Sequence, residues 1–347
     1  MSDNFRERVD SIINSVVRSG GRVMLIGPTD SGKTTVAKKL IQALIAKRRP
    51  VGFLDVDLGQ STIGPPGTIG AAVYHRFDEN GDAEGQATST AITFIGSFAS
   101  NVYQTEIMTA VQKMLDFLRH HQCRDIIIDT TGLIFGTAGL QLKLNKIACI
   151  KPHHLILIDD GKNYSIFGDL YANAQDMVIH AIQKNLDIIP RSIELRRRYR
   201  LEKIRKYLCE AREVIIPVPK FIAWRTNIIT RSINNTELST FLETTIMEPV
   251  HFSAIANRQL VVVADTWKYS QIQSLRENLP VDHIFVISKR QLIDRLIAVE
   301  NETFMLLSYG ILRAIDFLTG TLTIYASKFF HEDSHILKIG REGIDLA

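Results

Sequence analysis

An α/β fold built on a mostly parallel sheet is what this sequence predicts, and three observations predict it. Short apolar runs alternate with helical patterns through the first half of the chain. A loop of the form GxxxxGK[ST] stands between the first apolar run and a helix. Two further apolar runs end in aspartate, as strands do when they deliver acids to a ligand crevice.

The elements follow in order. Phe5, Val9, Ile12, Ile13, Val16 and Val17 recur at helical spacing across residues 4–18, and Gly20-Gly21 ends that helix. Val23–Ile26 reads as a buried strand, and Thr35–Lys47 as the helix after the Gly-rich loop. Strands are expected at Val51–Leu54, Thr90–Ile95, Ile126–Ile128 and Leu155–Ile158, with a helix over 102–121. Residues 57–90 hold Gly64-Pro65-Pro66-Gly67, Gly81 and Gly85, and read as one long loop, of a size that is usually functional or mobile. Ser192–Arg212 is a strongly basic helix, and Leu260–Val263, Ile284–Ile287 and Thr321–Tyr325 are strand-like. The expected organisation is a catalytic domain over 1–215, closing with the basic segment at 190–212, and a smaller α+β or β-rich domain over 216–347.

Composition narrows the class. The 347 residues are 45% hydrophobic and 22% charged, which excludes a fibre or a largely disordered chain. Cys123, Cys149 and Cys209 form no CxxC pair, so a disulfide framework or zinc site is not expected, and a reducing, cytoplasmic setting is. The segment MSDNFRERVD lacks an apolar signal core, and the charge-free run Gly85–Thr105 is too polar to span a membrane. The formal charge of +4 argues against a generally basic protein, but Lys184–Arg225 alone carries twelve cationic and five acidic residues, a net +7. Charge alone favours a solvated helix face over a phosphate-binding one.

Gly27, Pro28, Thr29, Asp30, Ser31, Gly32, Lys33 and Thr34, with Thr35 following, form the phosphate loop. Its glycines permit a tight turn that aims backbone N–H groups inward, and the next helix adds its dipole. Lys33 is expected on the β- and γ-phosphates and the Thr34 hydroxyl on Mg²⁺, so the predicted ligands are ATP, or another nucleoside triphosphate, and Mg²⁺. Asp55, Asp57 and Asp129 are the acids that strand ends deliver to the same place. Asn145-Lys146-Ile147-Ala148 lacks the acid of an NKxD guanine motif, and the KGGxGKT loop of partition-type ATPases is absent, which favours a phosphotransferase over a switch GTPase.

The ordered segments GPTDSGKTT, DVDLGQSTIGPPGTIG, DTTGLIFGTAGLQLKLNKI and RSIELRRRYRLEKIRKYL, spanning about 27–210, resemble the Clp1/Grc3/Nol9 family of polynucleotide 5′-hydroxyl kinases. GILRAIDFLTGTLTIYAS, at 310–327, resembles that family's C-terminal domain. The resemblance implies a kinase that transfers the γ-phosphate of ATP to the 5′-hydroxyl of RNA or DNA. Lys33 and Thr34 match its Walker A residues, and Asp57 matches the aspartate assigned as general base. Gln60 belongs to the same segment, and Thr130, Gly132 and Leu133 lie on the substrate-side TxGW motif. Arg191, Arg196 and Arg200 match the arginines of its lid. On this reading Asp55 and Asp129 suit the metal shell.

Two departures from the family stand out. Leu133 replaces an aromatic that could stack on a base, a contact worth about 1–3 kcal/mol. Lys33 follows only a helix and a strand, so the chain reads as a short form without the family's N-terminal domain. Two other readings stay open: an ATP-bound scaffold in RNA processing that no longer transfers phosphate, and a P-loop GTPase or small-molecule kinase. The sequence does not reveal protein partners.

Overall fold

The computed structural model describes residues 3–47, 49–78, 80–132, 136–159, 165–184, 189–217, 222–224, 236–326 and 336–344. The chain divides into two compact units, Met1–Ile204 and Arg205–Ala347.

The first unit runs α1 (Asp3–Ser19), β1 (Arg22–Ile26), α2 (Lys33–Ile45), β2 (Val51–Val56), β3 (Thr68–Tyr74), β4 (Ser89–Phe94), α3 (Gln104–His120), β5 (Asp125–Thr130), α4 (Gly136–Ile150), β6 (His154–Asp159), α5 (Ser165–Tyr171), β7 (Val178–Gln183) and most of α6 (Ile193–Tyr207). Its seven strands form one sheet in the order β4-β3-β2-β5-β1-β6-β7. The five strands from β2 to β7 are parallel, and β3 and β4 are antiparallel to their neighbours. Parallel strands buried on both faces read as continuous apolar runs, and every residue of β2, β5 and β3 is buried. One core forms where Phe5, Val9, Ile12 and Val16 of α1 meet Val36, Leu40, Ile41 and Leu44 of α2 over Leu25, Phe53 and Ile127. Each such side chain contributes about 1.5–3 kcal/mol on burial, so this packing fixes α2, and with it the loop before it.

Strand order decides what meets. The neighbours β2, β5 and β1 run parallel, so their carboxyl ends, at Val56, Thr130 and Ile26, open on one edge. Asp55 stands directly opposite Asp129 in the β2–β5 register.

The segment expected as one loop at 57–90 contains β3, a buried strand between β2 and β4. Gly70, Ala71 and Ala72 interrupt its strand-forming residues, and the preceding Gly-Pro-Pro-Gly hides its start. The 57–90 stretch is therefore a turn, a strand and a shorter loop.

The second unit completes α6 and adds β8 (Arg212–Pro217), β9 (Ile222–Trp224), α7 (Thr236–Ile246), β10 (Val250–Ala256), β11 (Gln259–Ala264), α8 (Tyr269–Asn278), β12 (His283–Ser288), β13 (Arg295–Glu300), β14 (Leu306–Asp316), β15 (Thr321–Ala326) and β16 (Ile336–Gly343). Six strands form a sheet in the order β8-β15-β14-β13-β16-β9, and β10-β11-β12 form another. Leu242 and Ile246 of α7 and Leu275 of α8 cover Leu260 and Val262 of β11. Among the described residues, no helix is long and apolar enough to cross a membrane.

At the sheet edge remote from the phosphate loop, the rings of His154 and His180 stack with centroids 5.3 Å apart. His154 Nδ1 lies 3.0 Å from His180 Nε2, and its Nε2 lies 2.8 Å from Ser19 Oγ. Burial lowers both histidines, His180 to about 4 from an ordinary 6.5. They fold neutral, so unfolding takes up protons below pH 6.5, and stability falls as pH drops from 6.5 towards 4. The melting temperature should fall across that window, and His180→Gln should flatten the fall. An identical pH profile for the two proteins would refute the assignment.

Candidate nucleotide and acceptor site

The phosphate loop is shaped by two departures from ordinary backbone. Gly32 sits at φ 92° immediately before α2. Asp30 is held at φ 56°, in the left-handed region that few side chains adopt. No side chain caps α2 and no acid occupies its first turn. Its leading N–H groups are thus not taken by a capping oxygen, as binding a phosphate requires. The Lys33 ammonium is buried and donates to the Pro28 carbonyl at 2.7 Å. Burial lowers its pKa, and Asp129, Asp57 and Asp30 oppose that shift.

Thr34 donates its hydroxyl proton to Asp129 Oδ2 at 2.5 Å. Asp129 is 2% exposed, and its Oδ1 has no hydrogen-bond partner among the described residues. A buried, unsatisfied carboxylate oxygen beside the loop's hydroxyl fits a hydrated Mg²⁺, which takes oxygen ligands and keeps several waters.

Asp55 is committed differently from the metal role expected of it. Its Oδ1 accepts the Asp57 N–H at 3.0 Å, and its Oδ2 accepts the N–H groups of Thr62 and of Ile63, the latter at 3.1 Å. Burial, and then the facing Asp129, push Asp55 up to about 7, against the pull of those N–H groups. Its carboxylate folds the turn that carries Asp57. Asp57 in turn accepts the N–H groups of Gly59 and Gln60 on Oδ1, at 3.0 and 3.1 Å, and no described residue bonds its Oδ2. A partly exposed carboxylate with one oxygen fixed and one available can orient a hydroxyl and take its proton.

At the end of β5, Thr130 donates to the Leu25 carbonyl at 2.7 Å, and the hydroxyls of Thr131 and Ser100 lie 3.3 Å apart. Gly132 lies so near the phosphate loop that a Cβ there would overlap the backbone of Thr29. Leu133 falls outside the described residues.

The start of α6 meets the loops of the first unit. The Arg191 N–H donates to Asp30 Oδ2 at 3.0 Å, and its Nη1 donates to Gln60 Oε1 at 3.0 Å. Arg196 lies 3.9 Å from the same Asp30 oxygen, and Arg200 stacks over Phe98 with 5.1 Å to the ring centroid. Arg198 instead pairs with Glu202 along the helix at 3.0 Å.

Sequence reasoning missed Lys203, which donates to the Ser61 carbonyl at 2.5 Å. The signal was present, since residues 196, 200 and 203 share one helix face. It also missed Lys143 and Lys146, both fully buried on α4. Two lysines three apart within the apolar run LQLKLNKI could have marked them.

The family model described as mRNA cleavage and polyadenylation factor CLP1 P-loop matches residues 27–210. A polyribonucleotide 5′-hydroxyl-kinase of Pyrococcus abyssi is 27% identical over 90% of this chain and 82% of its own length. Its namesake in Pyrococcus furiosus is 26% identical over 92% and 86%. A protein called CLP1 homolog from Nematostella vectensis is 27% identical over 59% of this chain and 48% of its own. The fold is similar to that of Clp1p in its complex with Pcf11p, with TM-score 0.62 and 12% identity, across 97% of this chain and 79% of that one.

The approach of Gly132 to Thr29 sets one test. Gly132→Ala must push the turn and the phosphate loop apart, at a cost of about 1–3 kcal/mol. Thermal melting should show that loss, and titration with a fluorescent nucleotide should show weaker binding. An alanine variant equal to wild type in both would mean that the two segments do not touch.

Proposed function

This chain belongs to the CLP1 P-loop family, and from that premise we propose that it is an ATP- and Mg²⁺-dependent polynucleotide 5′-hydroxyl kinase. The observation that carries the proposal is the carboxylate of Asp57, with Oδ2 unbonded among the described residues, on a turn beside a phosphate loop whose helix start is uncapped. The names of the archaeal relatives support the same acceptor.

The roles follow from what each group can do. The N–H groups at the start of α2 and the Lys33 ammonium hold the β- and γ-phosphates. Thr34 and Asp129 hold Mg²⁺ and its water shell, and the ion when bound neutralises charge on the phosphates. Asp57 orients the acceptor's 5′-hydroxyl and accepts its proton as the oxygen attacks phosphorus. Arg191, Arg196 and Arg200 stabilise the charge that spreads over the transferring phosphoryl, an effect of about 10³–10⁵ in rate for arginine fingers. Gln60, beside Arg191, and the turn Thr130–Gly132 flank the acceptor, with Leu133 next in sequence. The assignment of Asp55 to the metal shell is replaced by its role in folding the Asp57 turn.

γ-Labelled ATP, Mg²⁺ and a 5′-hydroxyl oligonucleotide provide the test. Wild type should transfer label to the 5′ end, and Lys33→Ala should not. Asp57→Asn should lose about 10²–10⁴ in rate while still binding ATP, the range expected for a general base. Full activity of Asp57→Asn would sink that role. Tight ATP binding by wild type with no transfer to RNA or DNA would favour a silent scaffold instead.

A further inference from the structure

We propose that Lys143 is a positioning residue for the turn Thr130–Gly132, and through it for the acceptor's 5′ end. The proposal rests on the kinase reading for its acceptor, but its structural half stands apart from that reading.

Lys143 is 0% exposed and sits two turns into α4. Its ammonium donates to Thr130 Oγ1 at 2.7 Å and to the Thr131 carbonyl at 2.5 Å. The Thr130 hydroxyl in turn donates to the Leu25 carbonyl at 2.7 Å, one residue before β1 ends and the phosphate loop begins. A chain of donors thus runs from Lys143 through Thr130 to the root of that loop. One residue beyond the second acceptor lies Gly132, seated against Thr29. Lys143 therefore holds the turn at two of its oxygens.

An apolar side chain would fill this space without desolvating a charge, so a lysine here needs a compensating gain. Its gain is directional: an ammonium offers three donors, and two meet oxygens of the one turn that must not drift. Lys146 supplies the contrast. It lies one turn further along α4 and is equally buried, yet its Nζ has no hydrogen-bond partner among the described residues. Both lysines lie in the same interior, and only Lys143 bonds the turn.

The experiment compares wild type, Lys143→Met and Lys146→Met as full chains, by steady-state kinetics and amide hydrogen exchange. In Lys143→Met, KM for a 5′-hydroxyl RNA oligonucleotide should rise about tenfold or more while KM for ATP changes by less than about twofold, since small displacements of an acceptor cost heavily. Exchange in the peptide covering 130–132 should accelerate in Lys143→Met and match wild type in Lys146→Met. Wild-type exchange in Lys143→Met, equal acceleration in both variants, or a matching rise in KM for ATP would each overturn the proposal. Should Lys143→Met fail to fold, Thr130→Val removes one acceptor and keeps the shape; an unchanged acceptor KM there would also overturn it. If wild type transfers nothing to any polynucleotide, the kinase reading fails, and the exchange comparison still decides whether Lys143 holds the turn.

Discussion

Charge buried at one edge of a parallel sheet is the constraint on which this site depends. Asp55 and Asp129 stand opposite each other on neighbouring strands, 1% and 2% exposed. Like charges so placed repel, and burial disfavours both ionised forms. Three lysines, Lys33, Lys143 and Lys146, are sunk into the same region, and burial lowers each of them, Lys146 to about 8. Removing one member of such a set leaves another charge uncompensated, which costs far more than any pair contributes. The strand order makes this unavoidable. A crossover that sets β5 between β2 and β1 brings both acids and the phosphate loop to one crevice.

The buried acids take different work because their remaining partners differ. Asp129 meets a threonine hydroxyl and keeps one oxygen unsatisfied. Asp55 meets three backbone N–H groups and so becomes the organiser of a turn. That turn carries Asp57 and Gln60 and ends near Ser61 and Thr62, whose carbonyls receive Lys203. One carboxylate therefore shapes the segment that the basic helix also grips. Three cationic residues of the +7 stretch, Arg191, Arg196 and Lys203, meet two carbonyls, a Gln amide and one aspartate here, ahead of any bound nucleic acid.

What was legible in the sequence was whatever local pattern decides. The phosphate loop, the strands that carry Asp55 and Asp129 near their ends, and the helix α6 each announce themselves by spacing. β3 did not, because glycine and alanine in a strand buried on both faces leave no alternation to read. The split between Asp55 and Asp129 did not either. Both end apolar runs, and only the pairing of their oxygens, a matter of three dimensions, tells a turn organiser from an acid that keeps an oxygen unsatisfied. Lys143 was quoted within a motif without a role, since a lysine in a helix is solvated far more often than buried.

Asp30 links the phosphate loop to the basic segment. Asp30 adopts φ 56°, a left-handed conformation that Asp tolerates better than most side chains. The Arg191 N–H and the Arg196 guanidinium both come to its Oδ2, so the residue that bends the phosphate loop is also where the basic helix rests. A carboxylate inside an anion-binding loop opposes the phosphates it flanks unless cations answer it. The Arg196 guanidinium answers it, with the Arg191 N–H on the same oxygen. Loop shape, local charge and the approach of the basic segment are thus one coupled arrangement, and a substitution at Asp30 acts on all three.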